Sequence, residues 1–110
     1  MNRREIAVEF IKAFCSGRID ELKPLLHENL SFSGPLYDFS DRESYLQSLE
    51  RDPPRAGSCN ILRTVEEGES VFVLYEYRVG ERSLKIAQYH AFSDGRISEI
   101  ELVFDTSGFR

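Results

Sequence analysis

Residues 69–93, ESVFVLYEYRVGERSLKIAQYHAFS, read as two long strands joined at Gly80-Glu81. A two-residue turn there sets Val79 opposite Arg82, Tyr77 opposite Leu84 and Tyr75 opposite Ile86. Continued outward, the ladder places Val73 opposite Gln88 and Val71 opposite His90. Side chains alternate across a strand, so one face is predicted to carry Val71, Val73, Tyr75, Tyr77, Leu84, Ile86, Gln88, His90 and Phe92. The other carries Phe72, Leu74, Glu76, Arg78, Lys85, Ala87, Tyr89 and Ala91, with Glu76 and Lys85 placed as a cross-strand pair. The first face is an apolar floor with a few polar tips, the composition of a small-molecule pocket.

Reading outward from this hairpin extends the sheet in both directions. Ser58 to Val65 is predicted as a preceding strand that turns at Glu66 to Glu69, with Ser58, Asn60, Leu62 and Thr64 on the pocket side and Cys59 on the outer one. Ser93-Asp94-Gly95-Arg96 carries an Asp-Gly turn signal and feeds a last strand, Ile97 to Asp105, with Ile100, Leu102 and Phe104 inward. Thr106 to Arg110 reads as a loose tail.

The N-terminal half has helical period instead. Ile6, Phe10 and Phe14 recur every four residues from Arg3 to Ser16, and Gly17 marks the stop. A short helix is expected from Asp20 to His27, then a short strand from Asn29 to Ser33 that breaks at Gly34-Pro35. Ser40-Asp41-Arg42-Glu43 has the form of a capping box. It opens a helix that buries Tyr45, Leu46 and Leu49 and stops at Asp52-Pro53-Pro54. Helix, helix, short strand, helix and a four-strand meander specify an α+β domain, its helices covering one side of a strongly bent antiparallel sheet.

Composition sets the outer limits. The 110 residues form one domain with enough chain for a core, and 41% hydrophobic with 30% charged residues is globular composition. A formal charge of -5 without a basic cluster argues against nucleic-acid binding. No apolar run approaches bilayer-spanning length, and the start of the chain leads into an amphipathic pattern, not a signal h-region. Cys15 and Cys59 stand in unrelated contexts without a CxxC, which predicts reduced thiols and a cytoplasmic protein. His27 and His90 are the only histidines. Neither has a metal-ligand spacing, so no metal and no cofactor are expected.

The chain resembles the nuclear transport factor 2-like superfamily, also called SnoaL-like or ketosteroid isomerase-like. The resemblance rests on FIKAFCSGRIDELKPLL (residues 10–26), LHENLSFSGP (26–35), FSDRESYLQSL (39–49) and AFSDGRISEIELVFD (91–105). It implies a cone-shaped domain whose open end makes a pocket, in a superfamily that spans isomerases, dehydratases, cyclases, epoxide hydrolases and non-catalytic binding modules. The base Asp of the steroid isomerases matches Gly34 here, their first-helix Tyr matches Phe10, and their protonated oxyanion-hole Asp falls at about Gln88. All three groups are replaced, which argues against ketosteroid-type proton shuttling. Glu76 and Arg78, the nearest approach to an epoxide hydrolase charge relay, face away from the pocket.

His90, with Tyr75 on the neighbouring strand, is the sharpest catalytic candidate, because an imidazole on the pocket face can exchange protons near neutral pH. Asp38, on the loop after Pro35, is a second candidate base. The ordinary alternatives are a core histidine satisfied by its neighbours and a solvated turn residue. Phe10, Phe14, Phe32, Tyr37, Asn60, Val73, Tyr77, Gln88, Ile100 and Phe104 are expected to line the pocket. The function expected is that of an isomerase, cyclase or dehydratase acting on a hydrophobic or aromatic metabolite, or of a ligand-binding or dimerisation module without turnover. Ile61, Phe72, Leu74, Tyr89 and Val103 are expected to form an apolar outer patch that a second copy covers.

Overall fold

The computed structural model describes residues 1–107. Helix α1 (Arg3–Cys15) is followed by two 3-10 turns, Ile19–Glu21 and Lys23–Leu25, then β1 (Leu26–Ser33) and the short β2 (Asp38–Phe39). Helix α2 (Arg42–Arg51) leads into β3 (Ser58–Glu67), β4 (Ser70–Val79), β5 (Arg82–Ser93) and β6 (Arg96–Val103). The six strands form one open sheet in the order β2-β1-β6-β5-β4-β3. It is a mixed sheet, not the purely antiparallel one expected, because β1 and β6 run parallel, pairing Phe32 with Ile100 and Ser33 with Glu101. No helix among the described residues is long and apolar enough to cross a membrane.

Both helices are closed at their N-termini by side chains. Asn2 and Glu5 form a reciprocal capping box on α1, at 2.8 and 2.9 Å. On α2 the cap is Asp41, which accepts from the Ser44 amide at 2.6 Å, one residue later than the expected Ser40. The expected second helix survives only as the two 3-10 turns. Pro24 lacks the donor that an α-helical continuation needs, and its ring clashes with the carbonyl four residues back. The chain therefore extends from Leu26, and His27 lies in a strand with Nε2 3.4 Å from Asp94 Oδ2.

The β4–β5 ladder has the expected register throughout, from Val79↔Arg82 to Val71↔His90. Glu76 stands opposite Lys85 as expected, but its ion pair is with Arg78 at 3.5 Å. The β3–β4 pairing departs from expectation. The connection is a tighter turn at Gly68-Glu69, with Glu67 opposite Ser70, and the register shifts between Ile61 and Arg63. That bulge at Leu62 reverses the facing of everything before it. Cys59 and Ile61 stand opposite Tyr77 and Tyr75 on the inner face, while Ser58 and Asn60 stand opposite Arg78 and Glu76 on the outer one. Asn60 is thus an outer residue, and Ile61 packs against the core instead of joining the outer patch.

Helix α1 lies against β3 and β4, and α2 against β1. The core between them holds Phe10, Ile11, Tyr45, Leu30, Val71, Val73, Ile97 and Ile100, all 3% exposed or less. Gly57 is clamped between these layers. Its amide donates to the Cys15 carbonyl at 2.8 Å, and a Cβ there would lie 2.2 Å from the Arg78 carbonyl oxygen. Next to it, Cys15 and Cys59 are joined in a disulfide with a Cα–Cα distance of 6.0 Å, which corrects the expectation of two free thiols. The sequence separation of 44 residues implies a loop-closure contribution of about 4 kcal/mol in the chain-entropy picture. Urea denaturation with and without reductant is expected to differ by about 2–4 kcal/mol, with Cys59→Ser matching the reduced protein. Superimposable curves would show that the two cysteines are not joined in solution.

Candidate functional site

The inner face of the sheet and the two helices leave a cavity of about 480 Å3. One end is an aromatic cage centred on Tyr45. Phe32 stacks on it with ring centroids 4.7 Å apart, Phe39 meets it edge-on at 5.6 Å, and Phe10 lies at 6.4 Å. Sequence places them there simply: Phe10 and Tyr45 fall on the buried stripes of α1 and α2, and Phe32 and Phe39 are paired across β1 and β2. The floor is Tyr75, Tyr77, Leu84, Ile86 and Gln88, and the far wall includes Phe14, Leu102 and Phe104. Gly34, Pro35, Leu36 and Tyr37 form one side of the mouth, and Asp52, Pro53, Pro54 and Arg55 the other. Tyr77 fastens the second side by donating its hydroxyl to the Arg55 carbonyl.

Polar contacts on the floor form a single chain that runs from the cavity into the core. The Tyr75 hydroxyl donates to Gln88 Oε1 at 2.7 Å, Gln88 Nε2 lies 2.8 Å from His90 Nε2, and His90 Nδ1 lies 3.0 Å from the Val71 carbonyl oxygen. Tyr75 and Gln88 line the cavity; His90 is fully buried behind them. The Tyr45 side chain lines the cavity, and because no buried side-chain polar atom among the described residues is left unsatisfied, its hydroxyl, which makes no hydrogen bond to them, opens onto the cavity. Burial pushes this phenol well above its ordinary range, with a further rise from Tyr75. Burial does the same to Tyr75, with Tyr77 adding to it, so both stay protonated across the accessible pH range. Burial acts in the opposite sense on His90 and lowers its pKa to about 4, partly offset by the bond to Val71.

The structure brings together most of the residues expected at the site and separates the rest. Tyr75, Phe10, Phe14, Phe32, Tyr37, Tyr77, Gln88 and Phe104 all line the cavity. Val73, Ile100 and His90 share the inner face but lie deeper, in the core beneath α1 and α2. Asp38 is exposed, because the alternation that turns Phe39 inward carries its neighbour outward. Asn60 stands with Ser58, Glu76 and Arg78 around a small polar depression on the outer face. Tyr45 is the site residue that the sequence pattern concealed, since a tyrosine in a helix's buried stripe reads as packing until its hydroxyl is found without a partner. No cluster of three His, Cys, Asp or Glu suited to a metal exists among the described residues.

The depressed His90 pKa makes a signed prediction. Unfolded, the ring takes a proton below about pH 6.5; folded, it does not until about pH 4. The unfolded state therefore binds more protons in that window, and stability falls as pH falls through it, by roughly 3 kcal/mol in all. Urea unfolding between pH 7 and 4 is expected to show this loss, and His90→Gln to flatten the difference. An NMR titration in which the His90 ring protonates near pH 6.5 would contradict the buried, neutral imidazole.

Comparison with known proteins agrees with this architecture. The sequence matches the SnoaL-like domain family over residues 7–100. No curated protein matches the chain. Among solved structures, an NTF2-like protein of Cytophaga hutchinsonii superposes with a TM-score of 0.84 at 22% identity, covering 99% of this chain and 95% of its own. A candidate SnoaL-like polyketide cyclase of Shewanella putrefaciens gives 0.82 at 13%, covering 97% and 82%. An LEH-like epoxide hydrolase of M. tuberculosis gives 0.73 at 20%, covering 91% and 80%. At such identities the shared property is the fold. The family match spans most of the chain and coincides with the cavity-forming elements, so the protein belongs to the SnoaL-like domain family, on the nuclear transport factor 2-like fold.

Proposed function

We propose that this domain binds a compact, mainly apolar molecule, aromatic or alicyclic in body and carrying one or two polar groups, and holds it without turnover. The observation that carries this reading is the cavity itself: about 480 Å3, walled by aromatic and aliphatic side chains, with the polar patch of Tyr45, Tyr75 and Gln88 at its floor. Aromatic walls supply most of the contact area, and the polar patch fixes orientation. Hydroxyls held protonated by burial and a carboxamide are binding groups, not bases. The imidazole that would accept a proton sits behind Gln88 and acts on a ligand only through it.

A second reading is turnover of such a molecule by isomerisation, cyclisation or dehydration. It is favoured by the Tyr45 hydroxyl, which opens onto the cavity within a cage of aromatic rings and is free to donate to a developing oxyanion. Structural relatives that carry cyclase and epoxide hydrolase names are compatible with it. One experiment separates the two readings. Native mass spectrometry of purified protein, followed by screening of apolar aromatic compounds, is expected to find a ligand that is released chemically unchanged. Leu102→Trp, which fills the cavity from one wall, is expected to lower its affinity at least about tenfold, or about 1.4 kcal/mol. A converted product favours the second reading; unaltered affinity in Leu102→Trp removes the cavity as the site.

The outer face supports a further expectation about assembly. Phe72 and Val103 are 43% and 62% exposed, and Phe72 packs on Tyr89 at 5.0 Å beside Leu74. Pairing of two copies through this face would remove that apolar surface from water. Light scattering is expected to give the mass of a dimer, reduced to a monomer by Leu74→Glu. A wild-type mass of one chain would refute the pairing.

A further inference from the structure

We infer that the buried chain from Val71 through His90 and Gln88 to Tyr75 has a fixed direction, so that Tyr75 faces a ligand as a hydrogen-bond acceptor and the cavity selects a molecule bearing a hydroxyl, phenolic or alcoholic, over the corresponding ether or ketone. The inference rests on the binding reading above and adds the chemistry of the ligand's polar group.

Direction follows from the one member of the chain that has no choice. A backbone carbonyl can only accept, so His90 Nδ1, at 3.0 Å from the Val71 oxygen, must carry the hydrogen. The ring is fully buried, and both partners, a carbonyl and a carboxamide, are uncharged. A neutral imidazole with its hydrogen on Nδ1 has only a lone pair at Nε2. The group 2.8 Å away must therefore be the donating amide nitrogen of Gln88, which turns Oε1 toward Tyr75. That oxygen can only accept, and the Tyr75 hydroxyl, at 2.7 Å, gives it the one hydrogen a phenol has. Reversing the order would set a bare Nδ1 against the Val71 oxygen and leave both without a partner in a dry core.

What remains at the cavity end is the lone pair of the Tyr75 oxygen. A ligand hydroxyl can donate to it and still accept from a donor elsewhere on the wall, Tyr45 among them. An ether or ketone oxygen can only accept, and placed against Tyr75 it sets lone pair against lone pair. Tyr45 does not impose this choice, because its hydroxyl opens onto the cavity with no hydrogen bond to a described residue to fix its direction, and a phenol can donate or accept. Tyr75 is thus the specificity-determining group, and Gln88 and His90 are positioning residues that act through it.

The test uses three probes of one body: naphthalene, 2-naphthol and 2-methoxynaphthalene, titrated calorimetrically at pH 7 into the oxidised protein. 2-Naphthol is expected to bind roughly tenfold tighter than its methyl ether. In Tyr75→Phe the ratio is expected to fall to within about threefold. The size difference between the probes is common to both proteins, so the change in ratio reports the hydroxyl alone. Equal affinities of 2-naphthol and the ether in the wild type, with naphthalene bound, would overturn the inference and leave the pocket reading standing. Failure of all three to bind would overturn both. A second measurement needs no variant: nitrogen-15 NMR of the wild type is expected to show His90 neutral with its hydrogen on Nδ1, and a hydrogen on Nε2 instead would reverse the chain and overturn the inference.

Discussion

The pairing of Val71 with His90 and of Tyr77 with Leu84 in the β4–β5 ladder decides which side chains share a face, and the rest of the molecule inherits that decision. One residue of slip would exchange Tyr75, Ile86 and Gln88 for Leu74, Lys85 and Ala87 and put Glu76, Arg78 and Lys85 under the helices. With the observed parity the inner row is apolar at its centre, where α1 presses on it, and polar-tipped where the helices stop short. Core and cavity are therefore one surface with different covers. The outer row keeps Glu76, Arg78 and Lys85 in water alongside Phe72 and Leu74.

That ladder was legible because Gly80-Glu81 leaves one way to close a tight hairpin between two long alternating runs. The remainder was legible to the extent that local signals set it. Ile6, Phe10 and Phe14 mark α1, and Asp94, at φ 53°, with Gly95 makes the last turn. The bulge at Leu62 could not be read, since nothing in SCNILRTV distinguishes an inserted residue from a regular one, and it alone moves Asn60 out and Cys59 in. The disulfide was hidden for the same reason, because partners 44 residues apart meet only after that bulge is known. Strand alternation gives the face but not the depth. His90, Val73 and Ile100 share a face with Tyr75, and only the placement of the helices reveals that they are core while Tyr75 is wall.

A fully satisfied polar chain inside an apolar core is not the most stable way to fill that space, and its presence is informative. Leu or Val at Gln88 and His90 would pack beneath Tyr75 without the desolvation of an imidazole and an amide. What the polar residues add is orientation: each hydrogen bond constrains the next, from a backbone carbonyl to a phenol at the cavity wall. The cavity's character comes from aromatic surface and a few hydrogen-bonded polar tips.

The bulge at Leu62 has a consequence for the uniqueness of the native state. β3 is an edge strand, held on one side only, and edge strands are where a sheet most readily tolerates a shifted partner. Counted from the turn at Gly68-Glu69 without the extra residue, the strand would direct Ser58, Asn60 and Leu62 inward and point Cys59 away from α1. The observed phase leaves Leu62 without a partner in the ladder and turns Cys59 and Ile61 inward in place of Ser58 and Asn60. The bond between Cys59 and Cys15 is compatible with only this phase. The disulfide thus fixes the phase in which Cys59 and Ile61 turn toward the core and Ser58 and Asn60 turn outward.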